Sequence, residues 1–103
     1  MNVLNQEDSL LLVIDVQEKL VRALDKDIIV KRVANLVKSA NILNIPVLVT
    51  EQYPKGLGNT VEPVAVSFPQ DTVIVEKTAF NALLEEGFLD KVKSYGKKQI
   101  VIC

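Results

Sequence analysis

Asp15 and Lys77 are the two residues whose types and positions fit joint chemistry. Asp15 directly follows the apolar run Leu10 to Ile14, and Lys77 lies in Glu76-Lys77-Thr78, just after the β-branched run Thr72 to Val75. Short runs of this kind read as strands buried in a parallel sheet. Ligands of open α/β sheets bind outside the carboxyl ends of the strands, where both residues would then stand. With a strand order of 3-2-1-4 one strand separates them, so two spacings of about 4.8 Å put their backbones roughly 10 Å apart, a gap a lysine side chain largely covers. A carboxylate beside an ammonium is a proton acceptor beside a fixed positive charge, a pairing that nucleophilic catalysis uses. A structural use is equally open, with Asp15 capping the following turn or helix and Lys77 merely solvated.

The elements that must position the two residues follow from periodicity. Leu10 to Ile14 is the first strand. In the segment Lys26 to Leu43, residues Ile29, Val33, Leu36, Val37, Ala40 and Leu43 fall on one helical face, so a helix should lie on the sheet. Asn44-Ile45-Pro46 ends it, because proline disfavours helical geometry in the residue before it. Val47 to Val49 is a second strand. The stretch Thr50 to Gln70 holds Pro54, Gly56, Gly58, Pro63 and Pro69 and reads as a long loop, or a loop with one short helix. Thr72 to Val75 forms a third strand. Phe88, Leu89, Val92 and Tyr95 suggest a short helix closed by Gly96, and Ile100 to Ile102 is a fourth strand ending at Cys103. This order predicts an α/β fold with a mostly parallel sheet, right-handed crossovers and helices on both faces. A fourth strand with no helix after it would leave apolar side chains and a backbone edge open, so residues 1–103 are expected to be the incomplete N-terminal part of one domain, inert and poorly behaved in isolation.

Composition narrows the classes of function. Twelve basic residues against thirteen acidic ones give a net charge of -1, with no basic stripe, so neither nucleic acid nor an anionic membrane surface is an expected partner. The hydrophobic fraction of 49% belongs to a core, since no apolar run approaches the length that spans a bilayer. The N-terminus has no basic segment followed by an apolar one, and the single cysteine fits a reducing compartment, so a cytoplasmic protein acting on a small molecule is expected. The absence of histidine removes the Ser-His-Asp triad, the Cys-His dyad and any zinc site built on histidine. No metal and no other cofactor are expected.

Three stretches carry a family resemblance: Leu11-Leu-Val-Ile-Asp-Val-Gln-Glu-Lys-Leu20, Thr50-Glu-Gln-Tyr-Pro-Lys-Gly-Leu-Gly58 and Val75-Glu-Lys-Thr-Ala-Phe80. In order and spacing they resemble the motifs of the isochorismatase-like cysteine hydrolases. The resemblance covers essentially the whole chain. It implies a three-layer fold with a six-stranded parallel sheet, of which the first four strands are present, and an Asp-Lys-Cys triad in which Asp15 is the base and Lys77 the cation. A free thiol is only a few per cent ionised at neutral pH, which is why an attacking cysteine needs both. By the same resemblance the thiolate attacks an amide-type carbonyl, backbone amides hold the oxyanion and water releases the product. The family's nucleophile lies a short way beyond the fourth strand, so Cys103, at the strand end itself, is expected to be structural. Replacing Lys77 with methionine in a longer chain is expected to abolish turnover and spare the fold.

Other residues near the strand ends are candidates for lining the substrate. Gln17 is placed either to orient Asp15 through a hydrogen bond or in an exposed turn. Glu51, Gln52 and Tyr53 follow the second strand and either line the cleft or belong to a solvated loop. Phe80 either walls the pocket or packs in the interior, the latter being the expectation. A homo-oligomer is expected. Two other functions compete with the hydrolase: a non-catalytic family member or fragment serving oligomerisation or partner binding, and a receiver-like phosphoacceptor domain. The latter needs an aspartate after the third strand, where Glu76-Lys77 stands.

Overall fold

The computed structural model describes residues 3–24 and 27–103. Its four strands are β1 (Ser9–Ile14), β2 (Val47–Gln52), β3 (Val73–Lys77) and β4 (Gln99–Ile102), all parallel in the order β3-β2-β1-β4. The helices are α1 (Glu18–Leu24), α2 (Asp27–Ile42), α3 (Pro54–Leu57), α4 (Glu62–Ala65) and α5 (Phe88–Ser94). The α/β class, the parallel sheet and the 3-2-1-4 order expected from the sequence are all present.

Alternation along the central strands divides the core into two halves. Leu11, Val13, Val47 and Val49 pack against Val33, Ala34, Val37 and Ala40 of α2 and Val64 of α4. Leu10, Leu12 and Leu48 face the other way, onto Phe88 and Val92 of α5 and onto Val73 and Val75 of β3. The result is three layers. At the sheet margins the covering thins, and alternate residues Ile74, Ile100 and Ile102 of β3 and β4 are exposed.

The helix expected over Lys26 to Leu43 is α2. Lys26 itself lies outside the described residues, and the buried stripe is shifted from the expected one. Ala34 is inside, whereas Leu36 and Leu43 are exposed and flank a groove of about 300 Å³ that Leu4, Leu11, Ile45 and Val101 also line. The helix end is also more specific than a proline stop. Asn44 adopts a left-handed φ of 58°, its N–H donates to the Asn41 carbonyl at 3.2 Å, and the Ile45 N–H donates to the Ala40 carbonyl at 2.8 Å. These are the two bonds of a Schellman cap, so Pro46 only follows a helix already closed. Because an asparagine tolerates this geometry better than other side chains do, Asn44→Ala should cost about 1 kcal/mol. Urea denaturation would check it, and an unchanged midpoint would dismiss the cap as a stabilising feature.

The segment expected as one long loop is more ordered than its glycines and prolines imply. β2 continues to Gln52, and both α3 and α4 follow, the first turn of each carrying a proline. The helix α1 is an element the sequence does not announce, since it is only seven residues long and none of them is fully buried. Gly96 takes up the left-handed conformation after α5, as expected.

Candidate functional site

The site begins with a break in strand alternation. Had β1 continued, Asp15 would have turned to the α2 side with Val13, but its backbone is left-handed, with φ 53°. Such a φ costs a non-glycine residue roughly 1 kcal/mol and is borne by aspartate better than by most. Two bonds to Thr50 hold it: the Asp15 N–H donates to the Thr50 carbonyl at 3.1 Å, and the Thr50 hydroxyl donates to Asp15 Oδ1 at 2.8 Å. The other carboxylate oxygen, Oδ2, lies 2.9 Å from Lys77 Nζ. Asp15 and Lys77 therefore form an ion pair at the carboxyl end of the sheet.

Lys77 is the last residue of β3, not a residue beyond it, and it is 1% exposed. It continues the row of Val73 and Val75 and so points to the α5 side. Around its ammonium lie Asp15 Oδ2, Gln52 Oε1 at 2.8 Å, and the carbonyl oxygens of Ala79 and Phe80, each at 3.0 Å. An ammonium has three N–H bonds. With four acceptors already present, Lys77 has no donor left for a substrate and can act on one only through its charge. The Asp15 carboxylate keeps 16% of its side-chain surface open, which leaves it as the accessible member of the pair.

The remaining candidates separate. Gln52 is brought to Lys77, and its Nε2 donates to the Thr78 carbonyl at 2.8 Å. Adjacent Glu51 points to the other face of β2. There its carboxylate accepts from the Thr60 N–H at 2.6 Å, the Thr60 hydroxyl at 2.9 Å and the Asn59 amide at 3.4 Å, fastening the segment between α3 and α4. Gln17 is not in an exposed turn: it is fully buried and bonds the backbone of Gln52 and the Gly58 carbonyl, while Thr50 supplies the bond to Asp15. Tyr53, with φ 37°, is exposed, and its ring lies so close over Gly56 that a Cβ there would clash with it. The expected interior packing of Phe80 is corrected. The side chain is 84% exposed, because the backbone of residues 79 and 80 turns its carbonyls inward to Lys77. Thr50 is a further residue of the site that the sequence alone does not single out, since its register with Ile14, the residue before Asp15, emerges only from the strand pairing.

Cys103 lies elsewhere. It packs with Val101 against the α2-side core, on the opposite face of the sheet from Thr50, Gln52 and Lys77, and its backbone continues the pairing of β4 with β1. Burial pushes its thiol above the ordinary value. Its alkylation by iodoacetamide at pH 7 should therefore run slower than that of free cysteine, and the rate should level off only at a higher pH than free cysteine's does. Fast labelling at neutral pH that disappears in Asp15→Ala would instead make Cys103 an activated nucleophile. Among the described residues, no group of three or more His, Cys, Asp or Glu side chains is placed to hold a metal ion, and no helix is long and apolar enough to cross a membrane.

Comparison with known proteins agrees with this architecture. Residues 9–103 match the model of the isochorismatase domain. The zebrafish (Danio rerio) isochorismatase domain-containing protein 2 is 35% identical over 102 residues, an alignment covering 97% of this chain and 50% of the relative. A ribonuclease from Caenorhabditis elegans superposes with a TM-score of 0.80 at 35% identity, over 96% of this chain and 50% of that one. YcaC of Escherichia coli, an octameric hydrolase of unknown specificity, does so with a TM-score of 0.83 at 30% identity, over 97% and 51%. The chain thus spans about half the length of the relatives it matches. With the parallel 3-2-1-4 sheet and matches that cover nearly all of its residues, this chain belongs to the isochorismatase family.

Proposed function

We propose that this domain serves a hydrolase acting on a small amide or related substrate, with Asp15 as proton acceptor, Lys77 as the fixed positive charge, and a cysteine beyond residue 103 as nucleophile. The ion pair at 2.9 Å, with its carboxylate partly open and its lysine closed off, carries this reading. Asp15 takes the thiol proton and the thiolate forms a bond to the carbonyl carbon, giving a tetrahedral oxyanion. Its collapse breaks the carbon–nitrogen bond, and the leaving amine picks up the proton from Asp15. Water then hydrolyses the thioester to the carboxylic acid and restores the thiol. The charge of Lys77 favours thiolate without spending a hydrogen bond on it. Exposed Tyr53 and Phe80 flank the approach, while Gln17, Glu51 and Gln52 form the frame behind it. Assembly with further copies, as in octameric YcaC, belongs to the same reading.

The test is ammonia release from a panel of small primary amides, measured on the 103-residue chain and on a chain continued with the second half of the zebrafish relative. The short chain should be inert and the continued chain active, with Asp15→Asn lowering turnover by about 10²–10⁴. Parental turnover in Asp15→Asn would end the assignment. Single-stranded RNA belongs in the same assay because of the ribonuclease relative; RNA cleavage without any amide hydrolysis would replace the small-amide reading.

A further inference from the structure

We propose that Gln17 and Gln52 form a relay of two side-chain amides that fixes the Lys77 ammonium against Asp15, making both of them positioning residues. The reason lies in where the backbone ladder stops. β1 and β2 pair as far as Ile14 and Thr50, and there the left-handed turn at Asp15 takes the chain away from the sheet. In a parallel ladder the N–H and C=O of one residue face the same neighbour, so those of Gln52 point toward the space β1 has vacated. Leaving them unpaired in the interior would cost on the order of 1–3 kcal/mol each.

The side chain of Gln17 fills the missing rung. Its Oε1 accepts from the Gln52 N–H at 2.6 Å and its Nε2 donates to the Gln52 carbonyl at 2.8 Å, as a neighbouring peptide would. The same Nε2 donates to the Gly58 carbonyl at 2.7 Å. An amide is required for this: a carboxylate has no donor for the two carbonyls, and leucine has neither group. With its backbone held on that side, Gln52 extends along the α5 face. Its Nε2 is committed to the Thr78 carbonyl and its Oε1 to Lys77 Nζ. The amide cannot turn over, since the flipped form would set NH₂ against the ammonium and oxygen against a carbonyl. Gln52 thus has both ends of its amide engaged within the protein, and it acts by holding Lys77.

This matters for catalysis only insofar as Lys77 has its proposed part, but the relay can be tested without turnover. In the ¹⁵N,¹³C-labelled wild-type chain, Lys77 Nζ should show a scalar coupling through its hydrogen bond to Gln52 Cδ. In Gln52→Leu and in Gln17→Leu the Nζ protons should exchange with water faster by about tenfold, the equivalent of one buried hydrogen bond. Gln52→Glu keeps the acceptor and should keep the slow exchange. Protection of the β1 amides reports on the fold independently. An absent coupling in the wild type, or unchanged Nζ exchange in folded Gln17→Leu and Gln52→Leu, would overturn the relay. Should a leucine variant not fold, the wild-type coupling decides. A coupling that is present while the continued chain hydrolyses no amide would sink the proposed function and leave the relay standing.

Discussion

Lys77→Met should destabilise the domain by about 3–5 kcal/mol, the usual consequence of removing one partner from a buried ion pair. Methionine fills much of the volume but leaves Asp15 Oδ2, Gln52 Oε1 and the carbonyls of Ala79 and Phe80 without the ammonium they surround. Against a typical domain stability of about 5–15 kcal/mol, that loss brings the chain close to unfolding. Urea denaturation followed by circular dichroism measures it directly, and a loss below about 1 kcal/mol would mean that the pair is solvated, as exposed pairs of that worth are. The expectation from sequence was that this substitution spares the fold. The sequence places residue 77 just after the third strand; β3 in fact includes it, and the lysine is enclosed. Asp15→Asn is the better probe of chemistry, since asparagine tolerates the left-handed backbone and retains an acceptor for Thr50.

Phe88→Ala is expected to cost about 3–5 kcal/mol and to act on one layer only. Phe88 is the single fully enclosed residue of α5 and packs onto Leu10, Leu12 and Leu48. Its removal leaves that helix little more than Val92 and Tyr95 to hold it to the sheet. Hydrogen exchange should show α5 opening well before α2, whose own contacts lie on the opposite face. Equal loss of protection in α2 and α5 would indicate instead that the two halves of the core open as one unit.

What the sequence made legible follows from how each feature arises. The four strands and α2 announce themselves because their burial is set by runs and periods of apolar residues, as in Leu10 to Ile14 or Val33, Val37 and Ala40. Strand ends are harder. β2 and β3 each run two or three residues further into polar sequence than expected, since Thr50, Glu51, Gln52 and Lys77 are buried by partners that are distant in the chain. The same reason hid the role of Gln17: a lone glutamine after a strand reads as solvated until the gap in the ladder it fills is known. Phe80 misled in the opposite sense, because the inward turn of two carbonyls decided its exposure and its own hydrophobicity did not.

The opposed directions of Glu51 and Gln52 bear on how this domain can change in length. One fastens the segment around Thr60 on one face, while the other holds Lys77 on the other. A one-residue insertion or deletion within β2 would exchange their faces, turning the carboxylate to the side of Lys77 and the amide to the side of Thr60. Length variation should therefore be borne outside both β2 and the fastened segment around Thr60, while the six residues from Val47 to Gln52 tolerate substitution far better than any change in their number.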